Sequence, residues 1–287
     1  MEIMNSKILN REEIYLNESQ IKMVISGWGE EAYKNSGVEK ITYISDGLKI
    51  KGYLAYPLSN EDKKFPCIIW NRGGFQEKGA IDKFTARGIF GQLAGWGYVV
   101  FASQYRGNAG SEGKEYFGGD DVNDILNLME AADEIASADT SKWGIEGWSR
   151  GGMMTLLALL KNAKFEDKIR CAVLSGAISN FKLYLEQDAE RKITYQKFFG
   201  KNFDEEINNR TIIDKVDKLP KIPYLLMHGG KDDTVSLIQT LELSKSFFKA
   251  GILYRLIIFE NGDHFLKNYR TEVDEQRKKW FNEYLKG

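Results

Sequence analysis

Two histidines, His228 and His264, are present in a chain of 287 residues. A serine hydroxyl is a poor nucleophile until a base takes its proton, so a serine–histidine mechanism here has two candidate bases. The candidate nucleophile is Ser149, in Gly147-Trp148-Ser149-Arg150-Gly151-Gly152. An apolar run, Trp143-Gly144-Ile145, precedes it, and a helical run beginning at Met153 follows. A Gly-x-Ser-x-Gly turn between strand and helix lifts its serine above the sheet, and the flanking glycines avoid a Cβ clash in the turn. The backbone N–H of Arg150 then points to where an oxyanion forms, helped by the partial positive charge of the helix N-terminus. The segment Ala109-Gly110-Ser111-Glu112-Gly113 misses the same pattern by one methyl group, but it follows a loop and opens no helix.

The base and its orienting acid are expected at the ends of later strands, in the chain order serine, acid, histidine. His264 lies in Glu260-Asn261-Gly262-Asp263-His264-Phe265, after the last apolar run. His228 ends the run before it and would precede its own acid, so it reads as structural. The loop after His228 is Gly229-Gly230-Lys231-Asp232-Asp233-Thr234-Val235. It holds two adjacent carboxylates, of which one can face the imidazole. Asp232 is preferred, with Asp233 as the alternative and as a cap for the following helix. The chosen carboxylate holds the imidazole tautomer and stabilises the imidazolium. A second oxyanion donor is expected from the backbone of Gly73 or Gly74, in Trp70-Asn71-Arg72-Gly73-Gly74-Phe75. The Arg150 side chain reads as solvated or salt-bridged.

These loops need a scaffold. Short apolar runs at Cys67–Trp70, Tyr98–Ala102, Trp143–Glu146, Cys171–Ser175, Tyr224–Met227 and Tyr254–Phe259 alternate with helical patterns near 81–94, 121–136, 152–161 and 237–250, and a last helix covers about 271–285. Near-continuous apolar strands alternating with helices imply a mostly parallel sheet with helices on both faces. Lys40–Ser45 and Leu48–Tyr56, joined by Asp46-Gly47, add an antiparallel hairpin at one edge. Residues 1–37 read as a polar helical extension and residues 38–287 as the catalytic domain. Residues 180–219 form a small helical cap, whose Tyr184, Tyr195, Phe198 and Phe199 are candidates to line a substrate pocket, although core packing explains aromatic side chains equally well.

Residues from about 40 to the end resemble the catalytic domain of the prolyl oligopeptidase family of serine hydrolases. The matching segments are Ser45-Asp46-Gly47, Gly52-Tyr53-Leu54, Tyr56-Pro57, Arg72-Gly73-Gly74, Tyr105-Arg106-Gly107, the Ser149 turn, His228-Gly229 with Asp232 and Val235, and His264. The resemblance implies the α/β-hydrolase fold, a triad of Ser149, Asp232 and His264, and cleavage of peptide or ester bonds, and it favours Asp232 as the acid. Two departures stand out. The chain has no room for the large β-propeller of the family's full-length peptidases, and Asn71-Arg72-Gly73-Gly74 replaces the family's usual oxyanion sequences. Both weaken a peptidase reading more than a hydrolase reading. A carboxylesterase and a catalytically inactive binding protein are the competing expectations.

Composition sets the remaining bounds. Lys and Arg number 40 against 41 Asp and Glu, so no excess of positive charge exists to hold nucleic acid or an anionic membrane. The first thirteen residues carry charges where a secretory signal needs an apolar stretch, and the longest apolar run, Met153–Leu160, is too short to span a bilayer. A cytoplasmic protein is expected, with a small ester or short peptide as substrate, no nucleic-acid or membrane partner, no metal and no organic cofactor. Oligomeric state is not legible. The two cysteines, Cys67 and Cys171, fall in apolar runs and read as buried thiols.

Overall fold

The computed structural model describes residues 6–162 and 164–287. Met1–Asn5, the start of the expected extension, lie outside the described residues. By its internal contacts the chain divides into two compact units, with the division inside one strand, between Ile145 and Glu146.

The first unit opens with strand β1 (Ile8–Glu13), helices α1 (Glu18–Trp28) and α2 (Glu30–Lys34), and the hairpin of β2 (Ser36–Ser45) and β3 (Leu48–Pro57). It continues with β4 (Phe65–Asn71), α3 (Lys83–Thr85), α4 (Gly91–Gly95), β5 (Val99–Ser103) and α5 (Asp121–Ala131). Its strands are ordered β1-β2-β3-β5-β4. β1, β2, β3 and β5 pair antiparallel in succession, and β4 joins β5 in parallel.

Residues 1–37 differ from the helical expectation. α1 and α2 are helices, but Ile8–Glu13 is an edge strand on β2. Its side chains are almost all exposed, so it carries no apolar alternation to announce it. The extension is also packed down. A Cβ at Gly88 would stand 2.6 Å from the Trp28 ring, and one at Gly91 would stand 2.3 Å from the Ala32 carbonyl. Those two glycines let α1 and α2 lie against residues 86–95. The expected single helix over 81–94 is correspondingly broken: Asp82 caps α3, a π-helical turn covers Ala86–Phe90, and α4 follows.

Two sequence motifs of this unit prove to be one ionic network. Arg106 donates to Asp46 and to Asp124 at 2.7 Å each, and Ser45 donates to Asp124 at 2.6 Å. Asp46, in the hairpin turn, also accepts from Asn123 and Asn127. The Tyr105-Arg106-Gly107 segment therefore locks the β2–β3 turn to α5. Asp124 is fully buried, and burial pushes its carboxyl up despite the Arg106 guanidinium.

Strand β6 (Ala138–Trp148) carries the chain into the second unit, which holds α6 (Arg150–Leu160), β7 (Ile169–Ser175), α7 (Phe181–Glu186), α8 (Ala189–Phe199), α9 (Phe203–Arg210), β8 (Tyr224–Gly229), α10 (Ile238–Ala250), β9 (Tyr254–Phe259) and α11 (Arg270–Phe281). β7, β8 and β9 are adjacent and parallel. Leu225, Leu226 and Met227 on β8 are no more than 1% exposed, the signature of a strand covered on both faces. Among the described residues, no helix is long and apolar enough to cross a membrane.

Candidate active site

Ser149 occupies the turn from β6 to α6 with φ 59° and ψ −125°, a backbone state that only an enforced turn holds for a residue with a side chain. Close packing enforces it. A Cβ at Gly147 would stand 2.0 Å from the Gly151 carbonyl, and one at Gly152 would stand 2.3 Å from the Ala177 Cβ. The Ser149 amide donates to the Ser175 carbonyl at 2.8 Å, fixing the turn against the end of β7. α6 begins at Arg150, so the Arg150 amide lies in the first turn of the helix, where backbone N–H groups are unclaimed by the helix itself. Arg150 is 1% exposed, which removes the solvated half of the expectation that its side chain is solvated or salt-bridged.

The loops after β8 and β9 run backbone to backbone. Gly230 donates to the Phe259 carbonyl at 2.7 Å, and Lys231 donates to the Gly262 carbonyl at 2.9 Å. A Cβ at Gly229 would stand 2.3 Å from the Gly262 carbonyl, so the paired glycines are what permit this approach. The result brings His264 Nδ1 within 2.7 Å of Asp232 Oδ2. Asp233 is exposed and bonds only locally, to the Thr234 hydroxyl.

Asp232 has its other acceptor positions filled as well. Oδ1 accepts from the amides of Thr234 at 2.9 Å and Val235 at 2.8 Å, and Oδ2 lies 3.2 Å from His228 Nε2. The side chain is 1% exposed. Burial alone would raise its carboxyl. The hydrogen bonds from His228, His264 and the Val235 amide outweigh burial and hold it well below the usual carboxylate range.

Three further residues pack on this arrangement; the sequence gives His228 a structural part and leaves Trp148 and Gly176 without one. Trp148 donates its indole N–H to the His264 carbonyl at 2.9 Å, tying the Ser149 turn to the His264 loop. Gly176, at φ +51°, closes over the Asp232–His264 pair, where an added Cβ would meet Asp232 Oδ2 at 3.3 Å and His264 Nδ1 at 3.4 Å. His228 is fully buried and touches Asp232. The position of Gly176 directly after an apolar strand, and the four-residue spacing from His228 to Asp232, were the available signals.

The cap segment is helical, as expected, from α7 to α9. Buried Gln239 on α10 anchors its start, accepting from the amides of Ser179 and Asn180 and donating to the Asn180 carbonyl. Tyr195, Phe198 and Phe199 gather with Phe181 in an aromatic cluster with ring centroids 5.0–6.4 Å apart, which accounts for them as the packing of the cap itself. Tyr184 stands at the edge of that cluster, with the Arg191 guanidinium 4.0 Å over its ring. Arg191 also donates to the carbonyls of Tyr184 and Thr234, so a cap side chain grips the acid loop. In the first unit, the Gly73–Gly74 loop folds tightly on itself: Gly74 has φ +74°, and a Cβ there would stand 2.4 Å from Gly79 Cα. Among the described residues, no group of three or more His, Cys, Asp or Glu side chains is placed to hold a metal ion.

The architecture is that of the α/β-hydrolases. A Pyrococcus horikoshii acylaminoacyl peptidase superposes with a TM-score of 0.75 at 22% identity, over 88% of this chain and 42% of that one. The dipeptidyl peptidase 4 of Porphyromonas gingivalis does so with a TM-score of 0.70 at 19% identity, over 88% of this chain and 36% of that one. Within that fold, residues 86–287 match the model of the prolyl oligopeptidase family, and the chain belongs to that family. It is a serine-type peptidase, a hydrolase. The Bacillus subtilis (strain 168) protein named "Uncharacterized peptidase YtmA" is 33% identical over 200 residues, 69% of this chain and 74% of that one. A probable dipeptidyl-aminopeptidase B of Neosartorya fischeri is 27% identical over 266 residues, 86% of this chain but 28% of the longer relative.

Proposed function

We propose that this peptidase hydrolyses short peptides through Ser149, His264 and Asp232, by way of an acyl-enzyme. Ser149 Oγ attacks the scissile carbonyl while His264 Nε2 takes its proton. Asp232, bonded to Nδ1, fixes the tautomer that leaves Nε2 free to accept and stabilises the imidazolium that forms. The Arg150 amide, at the start of α6, holds the oxyanion. His264 then passes its proton to the leaving amine, and water releases the acyl group by the same steps in reverse.

The observation that carries this reading is the 2.7 Å contact between buried Asp232 and His264, with the Ser149 turn joined to the His264 loop through the Trp148 indole. Tyr184, at the edge of the cap and beside the acid loop, is the aromatic residue best placed to meet a substrate side chain. The test is labelling with a fluorophosphonate of the native chain beside Ser149→Ala and His264→Ala, followed by turnover of short peptide anilides and p-nitrophenyl esters. Labelling confined to the native chain, with anilide cleavage, is the expected result. Labelling that survives Ser149→Ala overturns the nucleophile, and ester turnover without anilide turnover overturns the peptide substrate.

A further inference from the structure

His228 is the one histidine left without a part in the steps above, yet it is fully buried and in contact with the acid. Its ring nitrogens have different partners. Nε2 lies 2.8 Å from the Val235 carbonyl and 3.2 Å from Asp232 Oδ2. Both of those oxygens can only accept, so Nε2 must carry a proton and donate. Nδ1 lies 2.7 Å from the Thr240 hydroxyl, which can supply a proton to it. Those contacts together place a proton on Nε2.

Val235 is thereby held at both of its backbone polar groups. Its N–H donates to Asp232 Oδ1 at 2.8 Å and its carbonyl accepts from His228. The turn from Asp232 to Val235 closes around the imidazole, with Thr240 of α10 behind it. The Asp232 carboxylate ends with two backbone N–H groups on Oδ1, the His264 imidazole at 2.7 Å on Oδ2, and His228 Nε2 3.2 Å from the same oxygen. Contacts on both oxygens oppose a rotation of Asp232 away from His264.

We propose that His228 is a positioning residue for the triad: an imidazole that donates from Nε2 to the Val235 carbonyl and stands 3.2 Å from Asp232 Oδ2, holding the acid in the orientation His264 requires. The proposal rests on the Ser149–His264–Asp232 reading. Because a small misplacement of a catalytic group costs rate rather than ground-state affinity, the loss falls on kcat and leaves KM nearly unchanged. Glutamine places an amide N–H at the reach of Nε2 and leucine places none, so the first restores what the second removes.

The full chain labelled with 15N-histidine contains two imidazoles, and His264→Ala assigns them. The expected spectrum shows His228 with a proton on Nε2. In turnover per active site counted by fluorophosphonate, His228→Leu is expected to lower kcat by about tenfold to a hundredfold, and His228→Gln to recover most of it. A native chain that the fluorophosphonate fails to label at Ser149 overturns the hydrolase reading, and this inference falls with it. With Ser149 labelled, a His228 ring without a proton on Nε2, or a leucine variant with native kcat, overturns the inference alone. If the leucine variant does not fold, the nitrogen spectrum of the native chain decides.

Discussion

Gly176→Ala is expected to separate stability from catalysis in one substitution. The residue sits at φ +51°, a state that costs a residue with a Cβ about 1–2 kcal/mol. The backbone has little freedom to escape, because the Gly176 amide donates to the Met227 carbonyl at 2.9 Å and the preceding Ser175 carbonyl accepts from Ser149. The new methyl would stand 3.3 Å from Asp232 Oδ2 and 3.4 Å from both His264 Nδ1 and Cε1. Those separations are tighter than relaxed packing, so the acid–base pair must shift by a few tenths of an ångström. Displacement of a general base on that scale lowers kcat by about tenfold. Urea unfolding read by tryptophan fluorescence gives the first quantity, and kcat per titrated active site gives the second. A variant that loses stability but keeps native kcat would show that Gly176 does not set the pair. Native values of both would refute the strain argument as well.

Two other outcomes follow from the same geometry. Trp148→Phe keeps an aromatic ring but removes the N–H that holds the His264 carbonyl; one half-exposed hydrogen bond is worth about 0.5–1 kcal/mol, so kcat/KM should fall about twofold to fivefold with the melting temperature nearly unchanged, and an unchanged kcat/KM would deny the indole any role in the base loop. The depressed Asp232 carboxyl adds stability that is complete above the unfolded-state value of about 3.9 and drains away as pH falls below it toward the folded-state value; the unfolding free-energy gap between the native chain and Asp232→Asn should therefore be full at pH 6 and narrow below about pH 4, and a gap constant across that range would contradict the sign.

The Ser149 turn was legible because its geometry is local. Strand, glycine, serine, glycine and helix are contiguous, and each is needed for reasons that a six-residue window contains. The meeting of Asp232 with His264 was legible through chain order and the ends of apolar runs. What the sequence concealed depends on contacts between distant segments. β1 lies at a sheet edge and is almost entirely exposed, with Ile8 and Leu9 followed by four polar residues, so neither alternation nor a long apolar run marks it. The interruption at Ala86–Phe90 reflects glycines that accept neighbouring helices, whereas in sequence they look like a continuous amphipathic stretch. Chain order alone assigned His228 a structural part, and the Asp232–Val235 turn that wraps it forms only in the fold. The cap aromatics were readable as residue types, but their gathering around Phe181, with Tyr184 stacked at its edge, depends on helix packing.

Cys67 and Cys171 are both 0% exposed, and burial pushes both thiols up, so neither offers a thiolate to a reagent in water. The native chain is therefore a silent background for maleimide chemistry. A cysteine introduced on the exposed flank of α8 could carry a spin label or fluorophore without first replacing either natural one. Inactivation of the folded protein by a thiol-directed compound would point to attack on something other than sulfur, and the activated serine would be the first place to look.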